Sequence, residues 1–380
     1  MDFHFTEEQQ ELVAMFRDFA QQEIKPRAAE MDETEEFPHD IVEQMKEMGL
    51  LGLPYPEEYG GAGLDTVTYI AAIEEFCKVC GTMGIILSSH VSLCQWPIYT
   101  YGTEVQKEKY LIPLATGEVL GAFGLTEPSA GTDASMQKSV AEDKGDYFLL
   151  NGSKMFISNS QVAGTYVVFA KTDPTLGSRG ISAFILERGM EGFQVGEKIK
   201  KMGIRASDTC ELLFQDVKVP KANLLGELGQ GFHIAMATLD GGRISIAAQA
   251  LGIAQGAIDE TVLYTRERVQ FGKRLSQFQN TQFELAEMQT DVDAARLLVY
   301  RAAAAKDNGE DYTHQAAMAK MFAARTASDV TRRCLQLFGG YGFTREYPIE
   351  CKMRDAKITE IYEGTTEVQK MVVSSWMGVK

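Results

Sequence analysis

No apolar run in this chain approaches the ~18 residues that a membrane-crossing helix needs, so no membrane span is expected. The opening stretch MDFHFTEEQQELVAMF lacks the basic start and apolar centre of a secretory signal, and it lacks the Arg-rich pattern of a transit peptide. A cytoplasmic location is the expectation. Basic residues are also in short supply: 37 Lys and Arg stand against 53 Asp and Glu, a formal net charge of −16. Nucleic acid is bound by clustered Lys and Arg, and no such cluster lies on any helical face, which argues against that class of partner. The six cysteines are dispersed at 77, 80, 94, 210, 334 and 351, unlike the dense framework of a small secreted domain, so reduced thiols are expected. Cys77 and Cys80 form a lone C-x-x-C inside a helical pattern. Zinc would need two more ligands at suitable spacing, the five histidines are far apart, and no metal is expected.

Nucleotide fingerprints are missing as well. A dinucleotide site on a parallel sheet needs G-x-G-x-x-G between a strand and a helix, and GGAG, GQGF and FGGYGF lack that context. Walker A, H-E-x-x-H and G-x-S-x-G motifs do not occur. There is no internal repeat and no low-complexity tract.

What remains is ordinary for a globular protein: 380 residues, 45% hydrophobic and 24% charged, enough for two or three domains with their own cores. From residue 5 to about 117 the apolar period is near 3.6, with Leu12, Met15, Phe16 and Phe19 on one face. Ile41, Met45 and Leu50 follow FPHD, where Asp40 is read as a helix cap. GLPYPEEYGGAGLD (52–65) is a loop by its Pro and Gly content. Near residue 119 the pattern changes. YFLLNGSKMFISNS reads as a hairpin with Asn151-Gly152 at its turn, and TYVVFAKT, GISAFILE and CELLFQDVKV read as further strands. From about 230 helical periodicity returns over 243–268, 281–306, 314–337 and a last helix after Thr365. The chain is therefore read as an α+β multidomain protein. A helical domain (1–118), a β-barrel or sandwich domain (119–226) and a four-helix bundle (227–380) follow one another.

Two segments invite chemistry. AFGLTEPSAGTDAS (122–135) sits where helix gives way to strand and is rich in Thr, Ser and Gly donors suited to an anion or a heteroaromatic edge; it reads equally as a polar interdomain loop. RDAKITEIYEGTTEVQ (354–369) contains Glu363, which reads either as a functional carboxylate or as an exposed acid near a helix start, where the macrodipole favours it.

Ten segments in order carry a resemblance: GAFGLTEPSAGTDAS, NGSKMFISN, MGIRASDT, FQDVKVP, LDGGRI, RVQFGK, QLFGGYGF, YP, MRDAKI and IYEGTTEVQ. On them the chain resembles the acyl-CoA dehydrogenases over essentially its whole length, and it looks most like the short-chain, butyryl-CoA branch. The resemblance implies the three-domain order above and FAD between the β-domain and the bundle. It implies a homotetramer, in which the adenine end of each flavin is held partly by a neighbouring subunit. By motif, Phe123, Leu125, Thr126, Phe156 and Ser158 would line the isoalloxazine. Arg268, Phe271, Gln279, Gln336 and Gly340 would reach a partner's FAD, and Thr365 and Glu367 would lie near their own. Thr132, Asp240, Arg243, Tyr362 and Gly364 would contact the acyl-CoA.

Glu363 then matches the family's catalytic base, which takes the α-proton of the thioester while a hydride leaves the β-carbon for flavin N5. A thioester α-C–H is a weak acid, so its removal calls for a carboxylate made more basic by a dry site and for donors to the enolate-like charge. In the isovaleryl and long-chain branches the base comes from the position matching Gly242, which here cannot serve. The acyl chain would run toward MGIILSSHVSLCQWPIY (83–99), a stretch without Lys or Arg. A glutaryl-type carboxylate there would be costly, so a short uncharged acyl group is expected, with Trp96 and Pro97 as candidates for shortening the pocket. Branched, cyclic or glutaryl-like groups stay open. Electrons would pass to an electron-transferring flavoprotein. The rival readings are an acyl-CoA oxidase and a non-catalytic family scaffold.

Overall fold

The computed structural model describes residues 4–379. Helix α1 (Glu7–Phe19) opens on a reciprocal cap: Thr6 accepts the Gln9 N–H, and the Gln9 side chain accepts that of Thr6. It buries Val13, Phe16 and Phe19, whereas Met15 is 37% exposed and lies outside the stripe expected for it. Helices α2 (Ala28–Thr34) and α3 (His39–Glu47) follow. Asp40 is not a cap. Pro38 holds that position, and the Asp40 carboxylate, one residue into the helix, bonds the Arg27 guanidinium instead. After the 52–65 loop, Asp65 caps α4 (Thr66–Val79) by accepting the Thr68 N–H at 2.7 Å. Helix α5 (Gly81–Ser88), a π-helical turn over Ser89–Gln95 and α6 (Trp96–Tyr101) then form one buried, nearly continuous segment. The short helices α7 (Glu104–Gln106) and α8 (Ile112–Ala115) complete the helical part.

Eight strands follow: β1 (Leu120–Gly124), β2 (Val140–Asp143), β3 (Tyr147–Ser158), β4 (Ala163–Lys171), β5 (Ile181–Glu187), β6 (Phe193–Val195), β7 (Thr209–Pro220) and β8 (Leu224–Leu225). They make one mixed sheet in the order β6-β7-β3-β2-β4-β5-β8, with β1 parallel to β4. Alternation sorts the side chains of β4. Tyr166, Val168 and Ala170 join a core built only from this sheet and its turns, while Val167 and Phe169 face the core shared with the helices. The sheet thus curls over its own interior and offers its other face to the helices.

Asn151-Gly152 does not turn the chain. It lies inside β3, where the register with β7 shifts between Leu150 and Gly152, so the pair is a bulge. Gly152 has φ 142°, and a side chain there would collide with Ser139, which is why glycine is required. The hairpin turn lies earlier, at Lys144–Asp146, closed by the Lys144 N–H to the Tyr147 carbonyl at 2.9 Å.

The remaining helices are α9 (Gly231–Glu267), α10 (Gln279–Asp307), α11 (Thr313–Phe338), α12 (Ile349–Ile358) and α13 (Thr366–Trp376). Helix α9 begins twelve residues before the expected 243, and α12 was not expected at all. The small residues of α9 have a specific use. A Cβ at Gly252 or Gly256 would overlap the backbone carbonyl of Glu74 or Lys78, so the close approach of α4 and α9 at these two positions requires glycine.

Candidate active site

The segment between α12 and α13 folds back over the middle of α9. The Tyr362 N–H bonds the Ile358 carbonyl at 3.1 Å and the Thr366 N–H bonds that of Glu360 at 3.0 Å, and between these points Glu363 and Gly364 take φ values of 52° and 92°. A left-handed backbone at glutamate is strained and needs outside support. Two buried side chains supply it. Lys320 Nζ of α11 donates to the Gly364 carbonyl at 2.6 Å, and Gln369 Nε2 of α13 donates to the carbonyls of Glu363 and Gly364 at 3.2 and 2.9 Å. The Glu363 N–H finds no acceptor among the described residues.

Glu363 as a residue is half-buried, but both its carboxylate oxygens are out of water and neither has a hydrogen-bond partner. They lie against Gly242 of α9: a Cβ on that glycine would overlap Oε2, sit 3.0 Å from the carboxyl carbon and come 2.8 Å from a methyl of Leu93. Burial pushes the Glu363 carboxyl up to about 8, against the opposing pull of the Lys320 and Arg243 charges. The reading of Glu363 as an exposed acid at a helix start does not hold.

Flanking Gly242 on α9, Arg243 Nη1 bonds Asp240 Oδ1 at 2.5 Å, and Asp240 Oδ2 accepts the Thr313 hydroxyl at 2.9 Å. Arg243 Nε is buried without a partner. Tyr362 OH bonds Gln249 of α9. Further along lies a cluster of buried hydroxyls: Tyr69 to Ser92 at 2.9 Å, Ser88 to Ser245 at 2.8 Å, and Ser245 to Ser92 at 3.2 Å. Within 83–99 it is Leu93 that reaches Gly242, while Trp96 packs edge-on against Tyr101, ring centroids 5.9 Å apart. His90 is buried and neutral, lowered to about 4 by burial, with Nε2 on the Leu114 carbonyl and Nδ1 on the Gly121 N–H.

A second group forms on the sheet. The Met155 N–H bonds the Thr126 carbonyl at 2.8 Å, bringing the end of β1 beside β3. Phe156 takes φ 62° and is 62% exposed, Phe123 and Leu125 are buried, and Ser158 pairs with Thr209. The loop after Thr126 is pinned by a fully buried ion pair, Lys154 to Glu127 at 2.8 Å, and Glu127 also accepts the Ser139 N–H at 3.0 Å. Thr132 is exposed on that loop.

In a third group, Arg268, Gln336 and Gly340 line one surface hollow of about 470 Å³, with Arg268 over the Tyr341 ring. Phe271 (94% exposed) and Gln279 lie outside that hollow. Thr365 occupies the N-cap position of α13, and Glu367 is exposed in its first turn. Cys77 and Cys80 are buried free thiols, and among the described residues no group of three or more His, Cys, Asp or Glu is placed to hold a metal.

Sequence reasoning missed Lys320, Gln369, Lys154 and Glu127. Lys320 had a signal: it interrupts an otherwise small apolar stripe of Ala316, Ala323 and Ala327, where a buried cation needs a reason.

Three family models match consecutive parts of the chain: acyl-CoA dehydrogenase N-terminal domain over 6–118, middle domain over 122–217 and C-terminal domain over 229–378. The chain is 57% identical to a short-chain specific acyl-CoA dehydrogenase of Clostridium acetobutylicum, covering 98% of this chain and 99% of that one. The solved butyryl-CoA dehydrogenase of Megasphaera elsdenii superposes with a TM-score of 0.98 at 50% identity, covering 99% of this chain and all of that one. A chain from the structural work on the electron transferring flavoprotein of Acidaminococcus fermentans and flavin-based electron bifurcation gives 0.98 at 54% identity, over 99% of each chain.

Proposed function

Because the chain belongs to the acyl-CoA dehydrogenase family, a family of FAD-dependent enzymes, we propose that it converts a short, uncharged acyl-CoA to the trans-2-enoyl-CoA with Glu363 as the base. One observation carries this reading: a carboxylate with both oxygens buried and unpartnered, held over a glycine by a clamped, left-handed turn. A carboxylate so dried is a stronger base than one in water, and a value near 8 places it close to the working pH of a general base. It would take the proton from the thioester α-carbon. The free Glu363 N–H is a donor for the negative charge that then develops on the thioester oxygen. FAD, when bound, supplies the acceptor for the hydride leaving the β-carbon. The residues present fit it: an orphaned buried carboxylate needs a ligand packed against it, and the protruding Phe156 and the pinned 125–139 loop offer an apolar and a polar edge. Phe123, Leu125, Thr126, Phe156, Ser158, Thr365 and Glu367 would hold the flavin of their own chain, and Thr132, Asp240, Arg243, Tyr362 and Gly364 the acyl-CoA.

The acyl class follows from charge. The segment 83–99, toward which the acyl chain would run, carries Leu93, Ser88 and Ser92 bonded to Ser245, and a His90 whose two ring nitrogens are taken by backbone groups, and it has no Lys or Arg. A distal carboxylate would be buried there with no cation, so the glutaryl type is disfavoured. The butyryl-CoA dehydrogenase relative supports a four-carbon substrate. The neighbour from Acidaminococcus supports an electron-transferring flavoprotein as the redox partner. Among the described residues no helix is long and apolar enough to cross a membrane, and a cytoplasmic site of action is part of the proposal.

The test is a visible spectrum of the purified protein, followed by oxygen-free addition of butyryl-CoA and, separately, hexanoyl-, isobutyryl-, cyclohexanecarbonyl- and glutaryl-CoA. Bleaching of the flavin band by butyryl-CoA ahead of the others is expected. A yellow protein bleached only by glutaryl-CoA would overturn the acyl class, and one bleached by none would overturn the reaction. Arg268, Phe271, Gln279, Gln336 and Gly340, all at or near the surface of the single chain, are proposed to reach a neighbour's FAD in a homotetramer. Light scattering of the FAD-loaded protein should give four chains, and an FAD-loaded monomer would exclude this.

A further inference from the structure

Lys320 is among the most enclosed side chains in the protein, with no exposure to solvent. Its ammonium has three donors, yet its one hydrogen-bond partner among the described residues is the Gly364 carbonyl, and no carboxylate lies within ion-pair distance. A buried cation with one neutral acceptor is an expensive arrangement, and a neutral side chain of similar shape would fill the same space at less cost. The acceptor it does have belongs to the residue next to Glu363.

We propose that Lys320 is a positioning residue for Glu363, fixing the turn through the Gly364 carbonyl and setting a positive charge behind the carboxylate that accepts the substrate proton. This rests on Glu363 being the base. Gln369 shares the mechanical part, since it binds the same two carbonyls, but it carries no charge. The electrostatic part belongs to Lys320. Of the charges opposing the effect of burial on Glu363, that of Lys320 is felt most and that of Arg243 next; reciprocally, Glu363 is the carboxylate Lys320 feels most, ahead of Glu360 and Glu367.

The other groups around the base do not substitute for it. On α9, Arg243 is already bonded to Asp240. Tyr69 of α4 and Tyr362 of the same turn are phenols pushed upward by burial and remain neutral. From 83–99 the side chain nearest to the Cβ position of Gly242 is the uncharged Leu93. Without Lys320 the carboxyl would hold its proton to higher pH and the turn would lose one of its two clamps. Burial lowers the Lys320 ammonium to about 8, so its charge acts below that pH and fades above it, and activity should therefore fall most on the acid side, where the base is protonated.

Three holoenzyme variants separate the charge from the clamp. Lys320→Met removes both, Lys320→Gln keeps a donor without charge, and Lys320→Arg keeps charge and donors. The readouts are FAD content and the pH dependence, from 6 to about 10, of both kcat/KM for butyryl-CoA and the rate of flavin bleaching. The expected result is an acid limb shifted upward by about one unit in the Met and Gln variants, consistent with loss of a nearby opposite charge. That is roughly a tenfold lower rate at pH 7, narrowing toward pH 10, with KM changed less than kcat, while the Arg variant keeps the wild-type limb. A uniform loss at every pH, or the same limb in Gln and Arg variants, would make Lys320 a structural peg and overturn the proposal. Should the Met variant fail to hold FAD, the Gln and Arg pair decides; loss of FAD in all three, the charged variant included, also overturns it. Failure of the wild type to bleach, by contrast, would fault the assigned reaction and not the role of Lys320.

Discussion

Glu363→Gln is expected to give a yellow, folded protein whose turnover with butyryl-CoA is lower by at least ~10²- to 10⁴-fold, the range attributable to a general base. The amide has the shape of the carboxylate but cannot take the proton. Because neither carboxylate oxygen has a hydrogen-bond partner, the substitution breaks no bond that holds the fold. A second readout follows from the same burial. The Glu363 carboxyl is raised from 4.5 to about 8, so between those values the folded state binds a proton that the unfolded state has released. Stability therefore falls as pH rises through that window, and the loss is complete above about pH 8. Glutamine has no proton to lose. The variant should accordingly melt above the wild type at pH 8 to 9 and close to it near pH 4, while being far less active. Near-normal turnover would remove the base assignment. A lower melting point at pH 9 would show that the Lys320 and Arg243 charges outweigh the effect of burial on the carboxylate.

That the site is this dry could not have been read from the sequence. The segment around Glu363 was legible because a Tyr-Glu-Gly-Thr turn among helical periods is unusual and because ten motifs run in register. Its burial depends on α9 passing behind it at Gly242, a contact between residues 121 positions apart, to which local periodicity is blind. Lys320 and Gln369 were missed for the same reason: on a helix wheel one is a charge and the other an amide, and only the tertiary fold turns both inward onto one pair of carbonyls. The order of helical, sheet and helical segments was legible because period 3.6 and β-branched runs separate cleanly along this chain. Turn chemistry was less reliable. Asn-Gly is a strong hairpin signal in isolation, but the pairing of β3 with β7 continued the ladder through it, the β2 pairing ended at Asn151, and the glycine was used for close approach to Ser139. Asp40 likewise found Arg27 a better partner than a helix terminus.

Gly242→Ala is expected to lower kcat/KM by roughly 10²-fold with little loss of folded stability, a combination few interior substitutions give. Alanine is the better helix former by ~1 kcal/mol, and position 242 lies well inside α9, so the backbone gains. The added methyl, however, would overlap Glu363 Oε2, lie 3.0 Å from the carboxyl carbon and crowd Leu93 at 2.8 Å. The carboxylate is the far end of a flexible side chain and will move before the helix does. A shift of about 1 Å at a reacting group costs on the order of 10²-fold even when nothing else changes. Gly241→Ala is the control, because the nearest atoms to its Cβ would be Lys306 Nζ at 3.5 Å and the Tyr312 hydroxyl oxygen at 3.9 Å, ordinary contacts, and it should retain near wild-type rates. Equal losses at 241 and 242 would mean that α9 tolerates no side chain here and that the effect is packing. No loss at 242 would mean that the carboxylate reacts from another rotamer. The overlap also gives a physical reason why a side chain at 242 and the Glu363 carboxylate exclude each other. The Cβ of residue 242 points at the spot where the Glu363 carboxylate lies, so only one of the two positions can carry a side chain into it, and glycine at 242 is the condition for glutamate at 363.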